Sequence, residues 1–181
     1  MKSVLKEKYE KVVKSQLKDE FGLGSLMAVP RIAKVVVNCG VGYTLKSKDL
    51  LEKAKRDLAM ITGQQPAVRK ARISVAGFGI RSGMTVGIQV TLRGYYAYNF
   101  LEKVFNIVLP RLRDFRGIKR QSFDNSGNYT LGITEHTVFP EIDLAKVDKP
   151  FGMEITIVTN VTNKKMSRRL LELLGAPFEK E

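Results

Sequence analysis

Three observations predict an α+β fold for these 181 residues. One run, Met84 to Arg93, alternates apolar and polar side chains without a break, which is the signature of a strand buried on one face. Other runs place apolar residues at helical spacing, and the two kinds interleave with no linker, internal repeat or low-complexity tract. The expected architecture is a single two-layer domain over residues 1–181. Its sheet is mostly antiparallel, with helices on one face and an open polar face on the other. An apolar content of 44% is ample for a packed core in a chain of this length.

The elements follow in order. Leu5, Tyr9, Val12, Val13, Leu17 and Phe21 form the stripe of a first helix, with Gly22 and Gly24 as stop signals. After Pro30, Arg31 to Cys39 reads as a strand with Ala33, Val35, Val37 and Cys39 facing the core, so Lys34, Val36 and Asn38 face away. Ser47 is the expected N-cap of a second helix, Asp49 complements its first turn, and Leu50, Leu51, Ala54, Leu58 and Ile61 line it up to Gly63. Pro66 to Arg72 reads as a short strand. Ser74 to Gly83, with Gly77, Gly79 and Gly83, has too many glycines for a regular element and reads as a flexible loop. In the strand that follows, Met84, Val86, Ile88, Val90 and Leu92 alternate with Thr85, Gly87, Gln89, Thr91 and Arg93. Tyr98, Leu101, Val104, Phe105 and Val108 make a third helix ending before Pro110. Asp124 to Asn128 is turn-like, and Tyr129 to Ile133 and Met153 to Asn160 read as strands. Met166, Leu170, Leu173 and Leu174 form a last helix stopped by Gly175 and Pro177.

Charge narrows the function. Thirty-one Lys and Arg face 18 Asp and Glu, for a net +13, and no acid lies between Asp57 and Glu102 while Arg69, Lys70, Arg72, Arg81 and Arg93 do. That window is the expected polyanion surface. Two further basic clusters, Arg111 to Arg120 broken only by Asp114, and Lys164 to Arg169, fit solvated faces equally well. The apolar runs speak against disorder, and no stretch approaches the roughly 18 apolar residues of a membrane span. A single Cys excludes an internal disulfide framework, and the acid-bearing N-terminus resembles neither a signal nor a transit peptide, so the cytoplasm is the expected compartment.

Catalysis has no visible team. Gly40-Val41-Gly42 follows a strand, but Leu45 stands where a dinucleotide fingerprint needs Gly or Ala, and neither glycine-rich segment ends in the Gly-Lys-Ser/Thr of a nucleotide hydrolase. His136 is the one histidine. Glu135 and Glu141 lie near it, without the His and Cys cluster that specifies zinc, so a structural or solvent-facing role is expected. Cys39 reads as a small core hydrophobe. No cofactor or metal is expected. Binding fits better: Lys34, Asn38, Gln89, Thr91 and Arg93 offer amide, hydroxyl and cationic donors on one sheet face, suited to the shallow minor groove and 2′-hydroxyls of RNA. A protein-interaction module is the competing class.

A set of segments carries a resemblance. Val29-Pro30-Arg31, Val35 to Gly42, Ile61 to Pro66, Val90 to Gly94, Leu109 to Gly117, Gly127 to Ile133 and Phe139 to Asp143, in order and in register, resemble the bacterial-type large-subunit ribosomal protein five family across essentially the whole chain. The resemblance implies a non-enzymatic RNA-binding protein of the central protuberance, which holds 5S ribosomal RNA and contacts transfer RNA in the peptidyl site. It also implies large-subunit ribosomal protein eighteen and, across the subunit boundary, small-subunit ribosomal protein thirteen as neighbours. By the same resemblance Asn38, Gln64 and Thr91 contact 5S RNA. The transfer-RNA contact falls on Ser74-Val75-Ala76-Gly77-Phe78-Gly79-Ile80-Arg81-Ser82-Gly83-Met84 with Arg72 before it. Arg72-Ile73 and Gly79 stand where relatives commonly carry more positive charge, so the contact is expected to be weakened in charge and kept by Arg72 and Arg81.

Overall fold

The computed structural model describes residues 3–113 and 115–179; Asp114, the acid within the second basic cluster, lies outside the described residues. Five strands form one sheet: β1 Ile32–Gly40, β2 Ala67–Lys70, β3 Thr85–Leu92, β4 Tyr129–Ile133 and β5 Met153–Thr159, in the order β2-β3-β1-β5-β4. Every neighbour pair is antiparallel. Ala67 pairs with Gln89 and Lys70 with Thr85 across β2 and β3. Just past the end of β1 the Val41 N–H donates to Val86 at the start of β3, just past β5 the Asn160 N–H donates to Arg31 ahead of β1, and beyond β4 the His136 N–H donates to Phe151 ahead of β5. Among the described residues the longer helices that accompany the sheet are α1 (residues 4–20), α2 (Lys48–Thr62), α3 (residues 94–111) and α4 (Lys164–Leu174). The predicted α+β class, antiparallel sheet included, is what the chain adopts. The residues divide into two compact units, one of Met1–Val35, Leu92–Leu131 and Thr156–Glu181, the other of Val36–Thr91 and Gly132–Ile155.

In the first unit, α1 buries Leu5, Tyr9, Val13 and Leu17, a strict four-residue spacing, and leaves Val12 46% exposed. In a helix of 3.6 residues per turn such a spacing drifts by about 40° at each step. A π-helical turn over Tyr9–Val13 underwinds the helix and returns the stripe to one face. Val12, expected in the stripe, is the residue this rotates outward. Tyr9 also meets Tyr98 of α3, ring centroids 5.9 Å apart, and its hydroxyl donates to the Pro30 carbonyl at 3.0 Å. Glu102 of α3 accepts from the Ser3 hydroxyl and from the Leu5 N–H, satisfying one of the open donors at the start of α1. The third helix runs through Pro110 instead of stopping before it. A second π turn over Val104–Val108 precedes the proline and widens the backbone where the pyrrolidine ring would otherwise meet the preceding turn's carbonyl.

The last helix differs from its predicted stripe. It buries Ser167, Leu170, Leu171 and Leu174, and half-buries Met166 and Leu173. Ser167 is drawn inward because its hydroxyl meets that of Thr159 at 3.0 Å, so the buried polar pair satisfies itself. The segment after α4 is pinned as well: Ile118 bridges Phe178, the Ile118 N–H donates to Pro177 at 2.8 Å, and Phe178 joins Phe123 and Tyr129 in an aromatic cluster. Gly117 adopts φ +120°, and a Cβ there would lie 2.5 Å from the Glu179 nitrogen.

In the second unit, α2 is capped as expected by the Ser47 hydroxyl, which accepts from the Leu50 N–H, and it fully buries Ala54, Leu58 and Ile61. Cys39 is buried, and that burial pushes its thiol up to about 12, which keeps it protonated. His136 is wholly buried and stacks on Phe151 with ring centroids 3.8 Å apart. Its Nδ1 accepts from the Phe151 N–H at 3.2 Å, which leaves the proton on Nε2. The Asp57 carboxylate lies 3.5 Å from Nε2, near enough to attract it but too far for a good hydrogen bond. The structural role expected for this histidine is the one it plays.

Two outcomes follow from this packing. Gly117→Ala meets Glu179 backbone and strains a left-handed position, so it should cost about 2 kcal/mol or more in urea unfolding. Burial holds His136 below its ordinary pKa, despite the opposing pull of Asp57. The unfolded chain therefore takes up a proton that the folded one resists. The resulting stability is fully present above the unfolded pKa of about 6.5 and is lost as pH falls toward the depressed folded value. Tm should decline between about pH 7.5 and 5.5, and His136→Gln, which cannot titrate, should flatten that part of the curve.

Candidate nucleic-acid interface

The strand parity read from the sequence holds over residues 35–39 of β1 and 88–92 of β3, but toward the strand starts it fails: Ala33 and Val86, expected on the core face, are half-buried, Met84 is 37% exposed, and Gly87, expected on the polar face, is buried. In β1, Val35, Val37 and Cys39 are buried and Asn38 is exposed. In β3, Ile88, Val90 and Leu92 are buried while Gln89 and Thr91 remain half-exposed. The glycine between them in parity, Gly87, is the floor of the polar face. A Cβ built on it would lie 3.3 Å from the Cys39 carbonyl, 3.7 Å from the Arg69 Cβ and 4.0 Å from the Asn38 Oδ1. Asn38 and Arg69 thus flank a floor with no side chain of its own, and with Gly87 buried beneath them it is their own polar groups that face outward.

Arg69 lies in the basic window and in the strand read from Pro66 to Arg72, and the register to β3 gives it a face. It pairs with Gly87 across β2 and β3, and its Nε donates to the Gln89 Oε1 at 2.6 Å. That bond fixes the guanidinium over the face and occupies Gln89 as an acceptor, so the two act as one orienting unit. Gln64 sits outside the strands, in the exposed link that follows α2, three residues ahead of the Ala67 that pairs with Gln89. The link is shaped by the Thr62 hydroxyl, which donates to the Leu58 and Gln64 carbonyls at 2.7 and 3.1 Å. Lys34 and Arg93 belong to the other unit. Lys34 is half-buried, and Arg93 is exposed beside a groove it lines with Arg31, Lys14 and Tyr98.

The glycine-rich segment is a closed hairpin tip and not an unstructured loop. The Ala71 N–H donates to Met84 at 2.8 Å and the Gly83 N–H to Ala71 at 2.9 Å, which continues the β2–β3 pairing. Farther out, the Ser82 N–H donates to the Ser74 hydroxyl at 2.9 Å and the Ser82 hydroxyl donates to the Arg72 carbonyl at 3.2 Å. Val75 and Ile80 bridge, and Ala76–Phe78 makes a tight turn released by Gly79 at φ +64°. Gly77 lies within that turn. Arg72 and Arg81 are exposed, as are Ile73 and Phe78, so the tip joins positive charge to uncovered apolar surface.

Among the described residues no group of three or more His, Cys, Asp and Glu side chains is arranged to hold a metal ion. No helix among them is long and apolar enough to cross a membrane. What the second unit presents is an acid-free stretch from Leu58 to Thr91 with an oriented Arg69 guanidinium, an exposed Asn38 and a projecting basic tip. Such a surface pairs with phosphates and reads base or sugar edges.

Comparison with known proteins gives the family. Residues 25–81 match the family model described as ribosomal protein L5, and residues 85–178 match that of the ribosomal L5P family C-terminus. The large ribosomal subunit protein uL5 of Thermoanaerobacter sp. (strain X514) is 51% identical over 178 residues, covering 98% of this chain and 99% of that protein. Its counterpart from Halothermothrix orenii is 50% identical over 97% of this chain and 98% of its own. That of Corynebacterium diphtheriae is 47% identical over 97% and 94% respectively.

Proposed function

The chain belongs to the ribosomal protein L5 family, a non-enzymatic structural constituent of the large subunit of the cytoplasmic ribosome, and from that premise we propose that its polar sheet face holds 5S ribosomal RNA while the hairpin tip touches transfer RNA in the peptidyl site. The observation that carries the reading is the pair above the buried Gly87 floor, an exposed Asn38 and an exposed Arg69 guanidinium already fixed by Gln89. Phosphate contacts from Arg69 set the register, and Asn38, Gln64 and Thr91 supply side-chain hydrogen bonds to sugar and base edges. Lys34 and Arg93 add positive charge outside that floor. The protein then sits in the central protuberance, beside large-subunit ribosomal protein eighteen, and reaches small-subunit ribosomal protein thirteen across the subunit boundary.

The closed hairpin supports a division of labour. Its hydrogen bonds run within residues 71–84, so the tip is anchored by the strands and nothing in the sheet face depends on it. Positive charge from Arg72 and Arg81 is available for phosphates, while Ile73 and Gly79 contribute none.

Replacing Asn38, Gln64 and Thr91 together by Ala should weaken 5S RNA binding about tenfold or more, at about 0.5–1.5 kcal/mol for each lost hydrogen bond, and leave the circular-dichroism spectrum unchanged. The intact chain, titrated against 5S RNA and an unrelated duplex as salt rises, should lose affinity for both by roughly 0.7 to 0.9 in log K per log salt for each phosphate neutralised, with a persistent gap in favour of 5S RNA. Curves that coincide throughout would mark a general polyanion binder, and a salt-insensitive affinity would favour a protein partner. Deleting residues 75–82 and closing with a short Gly linker should leave 5S RNA affinity nearly intact and speed transfer-RNA loss from reconstituted ribosomes modestly. The opposite pattern would reverse the assignment.

A further inference from the structure

Among the described residues Phe78 is the most exposed aromatic side chain, at 78%, whereas the other phenylalanines are buried or half-buried. A phenyl ring in water forgoes the stabilisation that burial gives its counterparts, so its position calls for a reason in what it meets. The backbone holds it there. Val75 and Ile80 exchange hydrogen bonds of 2.8 and 3.2 Å, the Phe78 N–H donates to Val75 at 3.2 Å, and Gly79 turns the chain back. The ring therefore projects from a closed turn and not from a floppy segment, and ordering it on a ligand costs little entropy.

Its surroundings select the ligand. Arg72 and Arg81 stand on the same tip, and no acid occurs between Asp57 and Glu102. A protein pocket would accept the ring but would need its own carboxylates placed beside it to use the positive field. Folded RNA offers flat base faces for the ring and phosphates for the two guanidinium groups. We infer that Phe78 is a stacking residue: its ring lies on the face of an exposed base or outermost base pair of the transfer RNA, with Arg72 and Arg81 on the flanking phosphates. This rests on the hairpin reading given above and adds to it the group that makes the contact and the part of the nucleic acid it recognises. Stacking is indifferent to base identity, which suits a contact that must accept every transfer RNA.

The chain has no tryptophan, so Phe78→Trp places a single indole in it. In reconstituted large subunits carrying this variant with every other tryptophan accounted for by a wild-type control, filling the peptidyl site with deacylated transfer RNA should quench the added emission in step with occupancy. Phe78→Leu keeps the apolar bulk and removes the π face, and should release transfer RNA about fivefold faster or more, while Phe78→Tyr restores retention. The ring is outside the packed core, so 5S RNA binding by each free variant serves as the folding control. If Arg72→Gln with Arg81→Gln shortens transfer-RNA residence while Phe78→Leu behaves as wild type and the indole stays bright, stacking is overturned and the hairpin reading stands. If neither set of variants alters residence, the hairpin reading falls and stacking with it. An indole already shielded before transfer RNA is added would identify a protein pocket and also overturn the proposal.

Discussion

Strand β1 is hydrogen-bonded along both edges, to β3 on one side and to β5 on the other, and the rest of the structure depends on that central placement. A strand in the middle of a sheet cannot slip by one residue without exchanging its two faces. Slippage here would turn Val35, Val37 and Cys39 to water and carry Asn38 into the core, a change that no rearrangement of β2 or β4 could repair. The apolar residues of β1 thus do two things at once. They stabilise the core, and they fix the side of the sheet on which a polar surface can exist.

That surface is made as much by what is missing as by what is present. Gly87 removes a side chain from the floor, and the closeness of the Cys39 carbonyl leaves a larger residue no easy place. The absence of acids from Leu58 to Thr91 removes the competing partners that would otherwise hold Arg69, Arg72 and Arg81. Elsewhere the same chain pairs its charges freely, as with Lys6 and Glu10 on α1 or Arg169 with Glu20 and Glu172. Exposed pairs of that kind add little stability. Their concentration outside the window leaves the positive potential inside it undivided.

Much of this was legible in the sequence because β1 and β3 obey a local rule: alternation with period two needs no knowledge of the partner strand. The Ser47 cap, the turn at Asp124, where the carboxylate accepts from the Ser126 and Asn128 N–H groups at 2.8 Å, and the strand Tyr129–Ile133 are local in the same sense. What escaped was set by partners distant in the chain. Ser167 is buried because Thr159 is opposite it, and the start of α1 is satisfied by a glutamate 97 residues away. The π turns escaped for another reason. A four-residue spacing is compatible with an ordinary helix until one asks where its face points after four steps, and only the underwound turn keeps Leu5 and Leu17 together. Arg69 was placed in the basic window but not on the face, since a four-residue strand carries too short a pattern to assign its parity without the register to Gly87.

The bonds that close the hairpin at Ala71, Gly83 and Met84 isolate its tip from the folding of the chain. Beyond that closure Ile73 and Phe78 are exposed, and the hydrogen bonds of Arg72, Ser74 and Ser82 stay within the hairpin. Substitutions there are nearly silent in the stability of the protein. The tip is therefore free to drift in charge and shape at a rate that stability does not limit, while the sheet beneath it is held by its own packing. Two clocks run in one short chain, and the Ala71–Met84 hydrogen bond is the boundary between them.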